Sequence, residues 1–318
     1  MQRRLIFVAN IAFGRALSSV AMSIKNIKDG GGGIMMILSP AKTLDLSSCS
    51  DRLSTMWTEP ECDIIKTNEI ACEVKKRKQK DLQKLLGVSA NLAETAYSYW
   101  SSFEQDAKKA TETSDRKPSI FSFSGAAYQG LQASECSDDA ILYMQRNLRI
   151  IDPLYGVLLP LDVMQPYRLE MATKELFHSD KKLKLANYWT PSVSKFISND
   201  LRVRESKILL NLASDEYSAA IDANALVHGT QFIKVVFWED GRTIAVHAKR
   251  ARGLMVRYLS ENNVNDLEGV QSFSEEGYAF LSEKSDDTTL VFNRQKGKQT
   301  KDKSSKPTKA SQKKRKRK

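Results

Sequence analysis

Lys207–Tyr217, KILLNLASDEY, decides the fold class of this chain. Its first six residues, KILLNL, form the short apolar run of a buried strand. The next ones reverse the chemistry, because the Ser214 hydroxyl and the acids Asp215 and Glu216 suit the free N–H groups of a starting helix. A strand that runs at once into a helix is the building unit of an α/β protein. Upstream, Ile34–Leu38 (IMMIL) is a second apolar run, stopped by Ser39-Pro40. Downstream, Gln231–Glu239 and Arg242–His247 read as a hairpin around Asp240-Gly241, followed by a helix from about Ala248 to Ser260. Tyr278–Leu281 and Thr289–Phe292 read as the last strands. Helical patterns occupy Glu69–Lys84, Asn91–Ala110, Asp138–Leu148 and Lys181–Arg202, the last in two pieces with Pro191 opening the second. Ser119–Ser124 reads as a strand with Gly125 after it. The expectation is one α/β domain of mixed α+β type over residues 34–294, with a mixed sheet, flanking helices and no internal repeat.

Composition sets the ends apart. The 318 residues are 41% apolar, enough for a full core, and carry a formal net charge of +11. Residues 296–318 hold ten Lys and two Arg against the single acid Asp302, which alone accounts for that charge. Without large apolar side chains this tail cannot offset the entropy of ordering, and its closing KKRKRK fits a nuclear signal or a nucleic-acid patch. A solubilising tail is the plainer alternative. Residues 1–33 begin MQRRLIFVANIAFGRALSSVAMS and end in Gly30–Gly33, which suits a targeting leader with a flexible linker. The apolar run there is too short for a membrane span, and no membrane partner is expected. Cytoplasmic, nuclear and organellar placements all remain open on these signals. The four cysteines and three histidines show no ligand spacing, so neither metal nor cofactor is expected.

Four constellations carry chemistry. The run Pro153–Met171, PLYGVLLPLDVMQPYRLEM, has three prolines that break a helix and exclude a central strand, yet it is apolar enough to be buried. Its Asp162, Tyr167, Arg168 and Glu170, with Asp152 just before, must then pair or face a cleft. Leu85–Ala93, LLGVSANLA, matches a helix-hairpin-helix pattern: Gly87 permits the turn, Val88 plugs it, and N–H groups at Ser89 and beyond can hold a DNA phosphate. Lys76, Lys80 and Lys84 precede it as cations. An ordinary helical turn with a solvated basic face explains the same residues. In His247–Leu259, the cations Lys249, Arg250 and Arg252 stand at an expected helix start, where the macrodipole disfavours them unless an anion lies there. Pairing with Asp162, Glu170 or Glu216 is the alternative. SPAKTLD, residues 39–45, follows a strand, where α/β sheets place ligands, and makes Lys42 an anion contact. In NLASDEY, residues 211–217, capping alone explains Ser214 and Asp215, whereas Glu216 and Tyr217 are less easily dismissed as structural.

SPAKTLD, LYGVLLPLDVMQPYRLEM (154–171), NLASDEY (211–217), AKRARGLMVRY (248–258) and Gly277-Tyr278 stand in the order found in the peroxide stress resistance protein YaaA family, which the chain resembles over residues 34–294. FSFSGAAYQG (121–130) resembles the family's F-x-G-x-x-Y-x-G-L form. Asp152-Pro153 stands where the family has Ser-Gly, and Ala172 where it has Gly. The resemblance implies peroxide resistance linked to limiting free iron and oxidative DNA damage, DNA binding through a helix-hairpin-helix, and a cytoplasmic place. Two functions are therefore carried forward. One is a DNA-binding stress protein that grips the backbone with Lys76, Lys80, Lys84, Gly87, Val88, Ser89, Lys249, Arg250 and Arg252. The other is an enzyme acting on a nucleotide or nucleobase, with Lys42, Tyr155, Arg168, Glu170, Glu216, Lys249 and Arg252 converging on one cleft that takes an anionic ligand. A buried ion network without catalysis is the plainest account of the same polar residues.

Overall fold

A computed structural model describes residues 33–48, 51–105, 116–177 and 182–296; the leader, the last 22 residues of the basic tail and His178 lie outside them. The chain enters through β1 (Ile34–Leu38), all five residues buried. It continues through helices α1 (Ile64–Lys75), α2 (Gln79–Leu86) and α3 (Ala90–Ser102). Then come β2 (Lys117–Pro118), α4 (Ser119–Ser122), α5 (Ala126–Leu131) and α6 (Asp138–Asn147). Three strands follow, β3 (Leu148–Asp152), β4 (Gly156–Leu158) and β5 (Val163–Met164), before the long helix α7 (Leu185–Val203). The second half runs β6 (Ile208–Leu212), α8 (Asp215–Ser218), β7 (Gln231–Glu239), α9 (Ala245–Glu261), α10 (Leu267–Gln271), β8 (Ala279–Phe280) and β9 (Thr289–Arg294).

Seven strands make one mixed sheet in the order β4-β3-β1-β6-β7-β9-β8. The five inner strands are parallel, and β4 and β8 add antiparallel edges. Strands covered by helices on both faces read as continuous apolar runs, which is why IMMIL and KILLNL were legible. The mixed α/β architecture in a single domain agrees with the expectation.

Several local expectations do not hold. Glu69–Lys84 is two helices: Asp63 caps the first by accepting from the Lys66 N–H at 3.2 Å, and Arg77 leaves the helix to donate to the carbonyls of Glu175 and Leu176 at 2.9 and 2.8 Å. The next helix stops at Ser102 because Phe103 turns extended and buries its ring 5.5 Å from Trp100. Ser119–Ser124 begins as a helical turn, since Ser119 and Ser122 bond nearby carbonyls (Leu159, Lys117 and Pro118) and compete with a ladder. Asp138–Leu148 ends one residue early, and the strand β3 that follows was missed. Pro191 lies inside one continuous helix. The 231–247 hairpin is absent: β7 already has β6 and β9 on its two edges, so after the turn at Asp240 and Gly241 (φ 49° and 73°) the chain forms only a Glu239–Arg242 bridge and enters α9 at Ala245.

Candidate active-site cleft

The connections place a crevice. From β1 the chain crosses to β3 on one side, whereas β6, β7 and β9 step away on the other, so the order of the parallel strands reverses between β1 and β6. Ligands of open α/β sheets sit outside the carboxyl ends of the strands at such a point. Here those ends deliver Ser39 after β1, Asp152 at the end of β3 and Ser214 after β6. The Ser39 and Ser214 hydroxyl oxygens lie 3.4 Å apart, and the Ser214 N–H donates to Ser39 Oγ at 2.9 Å.

The proline-broken run forms the third wall. Asp152 is fully buried and accepts from the N–H groups of Leu154 and Tyr155, each at 2.9 Å, and from the Tyr167 hydroxyl. These bonds pin both ends of the run. Gly156 in between takes φ 73° and packs against Trp189, leaving no room for a side chain. Beyond Tyr167 the chain meets the loop after β1: Arg168 Nη1 donates to the Lys42 carbonyl at 2.9 Å, and Glu170 pairs with Lys42 Nζ at 2.7 Å. Glu216 on α8 accepts from the Ala172 N–H at 3.0 Å. Lys42, Arg168 and Glu170 are thus joined directly, and Glu216, from a third segment, is tied to the same run through Ala172.

Tyrosines floor this network. Tyr128 on α5 donates to the Ser39 carbonyl at 3.2 Å, and the Tyr155 and Tyr167 rings meet edge-on at 5.9 Å. Burial pushes the phenol of Tyr217 up, with Glu216, Asp152 and Glu170 adding to the effect, and it does the same for Tyr128 and Tyr167. Near neutral pH these three are neutral phenols, and those of Tyr128 and Tyr167 donate, to the Ser39 carbonyl and to Asp152. Burial also raises the Asp152 carboxyl to about 6, against the pull of the bonds from Tyr167, Tyr155 and Leu154. Tyr155 is buried, and its hydroxyl accepts from the Gln165 N–H at 3.1 Å, so its phenol braces the run.

Of the three α9 cations, Arg252 is influenced by α8, through Asp215. The helix begins at Ala245, so Lys249, Arg250 and Arg252 are its fifth, sixth and eighth residues and no longer stand at its start. Lys249 is exposed. Arg250 is engaged by Glu276 at 2.7 Å and by the Gln129 carbonyl at 3.0 Å, which fastens α9 to α5. Arg252 is different: its Nε is buried without a hydrogen-bond partner, and among the described residues its guanidinium makes no ion pair. Burial lowers its pKa, offset by Asp215, and Asp215 is itself bound to Lys234 at 2.6 Å. The Nε of Arg168 is likewise buried and unpartnered. Glycines set this geometry: a Cβ on Gly253 would fall 1.7 Å from the Ala127 carbonyl oxygen, and one on Gly130 2.2 Å from that of Arg250. Only glycine lets the α5 and α9 backbones touch.

The basic hairpin region is separate. Lys75 is occupied by the Phe103 carbonyl at 2.6 Å and Lys76 by Glu73 at 2.6 Å, while Lys80 and Lys84 are exposed without a partner among the described residues. Gly87 takes φ 60°, its N–H and that of Val88 both donate to the Gln83 carbonyl, and Val88 packs on the core. Ser89 caps α3 by accepting from the Leu92 N–H at 3.4 Å. The N–H groups left open in this turn are those at the start of α3, at Ala90 and Asn91. Sequence reasoning missed Ser39 and Tyr128 as cleft residues; the G-x-x-Y spacing from Gly125 to Tyr128 was the available signal for the second.

Among the described residues no group of three or more His, Cys, Asp or Glu is placed to hold a metal ion, and no helix is long and apolar enough to cross a membrane. Five parallel strands in 2-1-3-4-5 order, with a polar crevice of mixed charge at the reversal, define an α/β protein of the cleft-bearing, doubly wound kind. The sequence model of the family described as peroxide stress protein YaaA matches residues 34–284, and the chain belongs to that family. It is 35% identical over 263 residues to a UPF0246 protein of Rickettsia rickettsii (strain Iowa), covering 81% of this chain and 99% of the relative. It is 34% identical over 267 residues to a UPF0246 protein of Francisella tularensis subsp. tularensis (strain WY96-3418), covering 82% and 100%. Membership in the family supports a role in peroxide stress.

Proposed function

We propose that the chain serves in peroxide stress by binding DNA through its backbone, with low sequence preference. The observation that carries this is the α2–α3 turn: Lys80 and Lys84 stand exposed and unpaired on α2, and the turn that follows leaves the first N–H groups of α3 open. Cations and free helix N–H groups on one face are the elements that hold phosphate without reading bases. Outside the two ends the chain has a formal net charge of about −4, so this face and the two basic ends are the sources of attraction. A salt-series titration of a short duplex tests it, with the full chain, a chain lacking residues 296–318, and Gly87→Asp. Asp tolerates the left-handed backbone of Gly87 and puts a carboxylate beside the phosphate path. The expected result is binding that weakens with salt, persists without the tail and drops with Gly87→Asp. Loss of all binding with the tail, together with full binding by Gly87→Asp, refutes the reading.

A second reading is favoured by Arg252. A guanidinium whose Nε is buried without a partner is costly unless an anion completes it, and Arg252 is within electrostatic reach of Asp215, the neighbour of Glu216 on α8. This reading makes the crevice a site for a phosphate-bearing nucleotide, with Glu170 or Glu216 as acid or base. Thermal stabilisation of the full chain by pyrophosphate, abolished in Arg252→Met, is its expected sign; equal stabilisation of both chains excludes it.

A further inference from the structure

Beside the crevice, where Asp45, Ser47 and Ser48 end the loop after β1, lies a cavity of about 420 Å³. That volume falls in the range of small-molecule sites. One wall is aromatic, built by Phe121, Phe123 and Tyr128, the last two with ring centroids 5.3 Å apart. It is held in shape by backbone: Leu44 bridges Phe123, the Asp45 N–H donates to the Ser122 carbonyl at 2.8 Å, and the Ser124 N–H donates to the Thr43 carbonyl at 2.8 Å.

The opposite wall is polar, but its charges are already spent. Lys117 reaches the Ser47 carbonyl at 3.2 Å and the Asp45 carboxylate at 3.6 Å. Arg52 is taken up by Asp138 and by the carbonyls of Ser134 and Cys136. Glu135 is bound by Arg257. The groups with hydrogen-bonding capacity left over are neutral: the side-chain amide of Gln129, which is exposed, and the hydroxyls of Ser48, Ser124 and Ser134 have no partner among the described residues. A phosphate meets no free cation here, and an aliphatic ligand would leave the amide unused. A flat, uncharged heterocycle answers both walls, because its face lies on rings while an amide both donates to and accepts from its edge. We propose that this cavity binds a nucleobase, carried either by a free nucleoside or by an unstacked nucleotide of a nucleic acid. Tyr128 links the two places, since it lines this cavity and its hydroxyl bonds the Ser39 carbonyl of the crevice. The proposal does not need the α2–α3 grip, because a free nucleoside makes no contact there.

The test uses the full chain, with adenosine, guanosine, cytidine, thymidine and fluorescent 2-aminopurine riboside as free probes, and a short duplex with one central 2-aminopurine as the nucleic-acid probe. Gln129→Leu changes an exposed side chain and Phe121→Ala a half-buried one; circular dichroism and melting show that they fold. Lys80→Ala/Lys84→Ala reports on the DNA grip alone. The expected result is saturable binding of at least one nucleoside or a fluorescence rise in the duplex, weakened about tenfold or more by Gln129→Leu and by Phe121→Ala. The free-nucleoside signal is expected to be unaltered by the lysine pair. A duplex response without nucleoside binding assigns the base to nucleic acid, and the reverse assigns it to a free nucleoside. Absence of any response at millimolar nucleoside and in the duplex, or responses left unchanged by both folded cavity variants, overturns the proposal. Loss of duplex binding by the lysine pair with nucleoside binding intact separates the two readings.

Discussion

Asp162→Asn is the perturbation with the clearest expected signature. Asp162 is 2% exposed, at the bend that returns the proline-broken run to the core. Its carboxylate accepts from the Thr58 hydroxyl at 2.6 Å and from the Leu159 N–H at 2.8 Å. Burial raises its pKa from 3.8 to about 7, against the pull of those two bonds and of Arg149. A folded-state pKa above the unfolded one means that the folded chain holds the proton more tightly. The stability this contributes is present in full below the unfolded value and is lost as pH rises through about 7. A shift of about three units corresponds to about 4 kcal/mol as an upper limit. Asn at 162 keeps both bonds, since its oxygen accepts from Leu159 while its amide donates to the Thr58 oxygen. The assay is urea unfolding followed by tryptophan fluorescence from pH 4 to 8.5. Asp152, which titrates near 6 with the same sign, remains in both proteins and cancels in the difference. The advantage of the native chain over Asp162→Asn is expected to shrink by up to about 4 kcal/mol across that range. Parallel stability curves refute the argument, and with it the claim that Asp162 is held protonated at mildly acidic pH.

Other outcomes follow from the same contacts. Gly156→Ala places a Cβ 2.7 Å from the Trp189 ring on a backbone at φ 73°, and a loss of about 1–3 kcal/mol is expected in denaturant unfolding; an unchanged midpoint speaks against the packing of β4 on α7. Gly253→Ala forces α5 and α9 apart, and should lower the melting temperature more than an Ala substitution at exposed Gly241. Glu170→Gln removes the bridge to Lys42, whose side chain is 51% exposed, so stability should change by less than about 1 kcal/mol; a larger fall makes that pair structural and removes it from the candidate chemistry.

What could be read from the sequence, and what could not, has a physical pattern. β1 and β6 were legible because parallel strands covered on both faces must be apolar throughout. β3 was not, because its LRIID carries Arg149 and Asp152, each buried and each satisfied by a partner far along the chain: Asp200 for the first and Tyr167 for the second. Short-range patterns register such charges as surface. SPAKTLD and NLASDEY pointed to the crevice because a strand's end is a local feature. Tyr128 did not, since its place depends on two helices touching through Gly130 and Gly253. The α9 cations were misplaced for a smaller reason: the helix starts three residues earlier than expected, which turns a terminal cluster into Arg252, with its Nε buried, and two lateral cations, Lys249 and Arg250.

The antiparallel strands at the two borders of the sheet have a consequence for self-association. Exposed strand borders recruit other unfolding chains by offering unpaired backbone groups. At one border β4 is three residues long and buried, with Trp189 of α7 laid against Gly156; at the other β8 is only two residues long. Neither presents a template long enough to seed growth. A misfolded neighbour that meets either border finds too few unpaired backbone groups in register to extend the sheet.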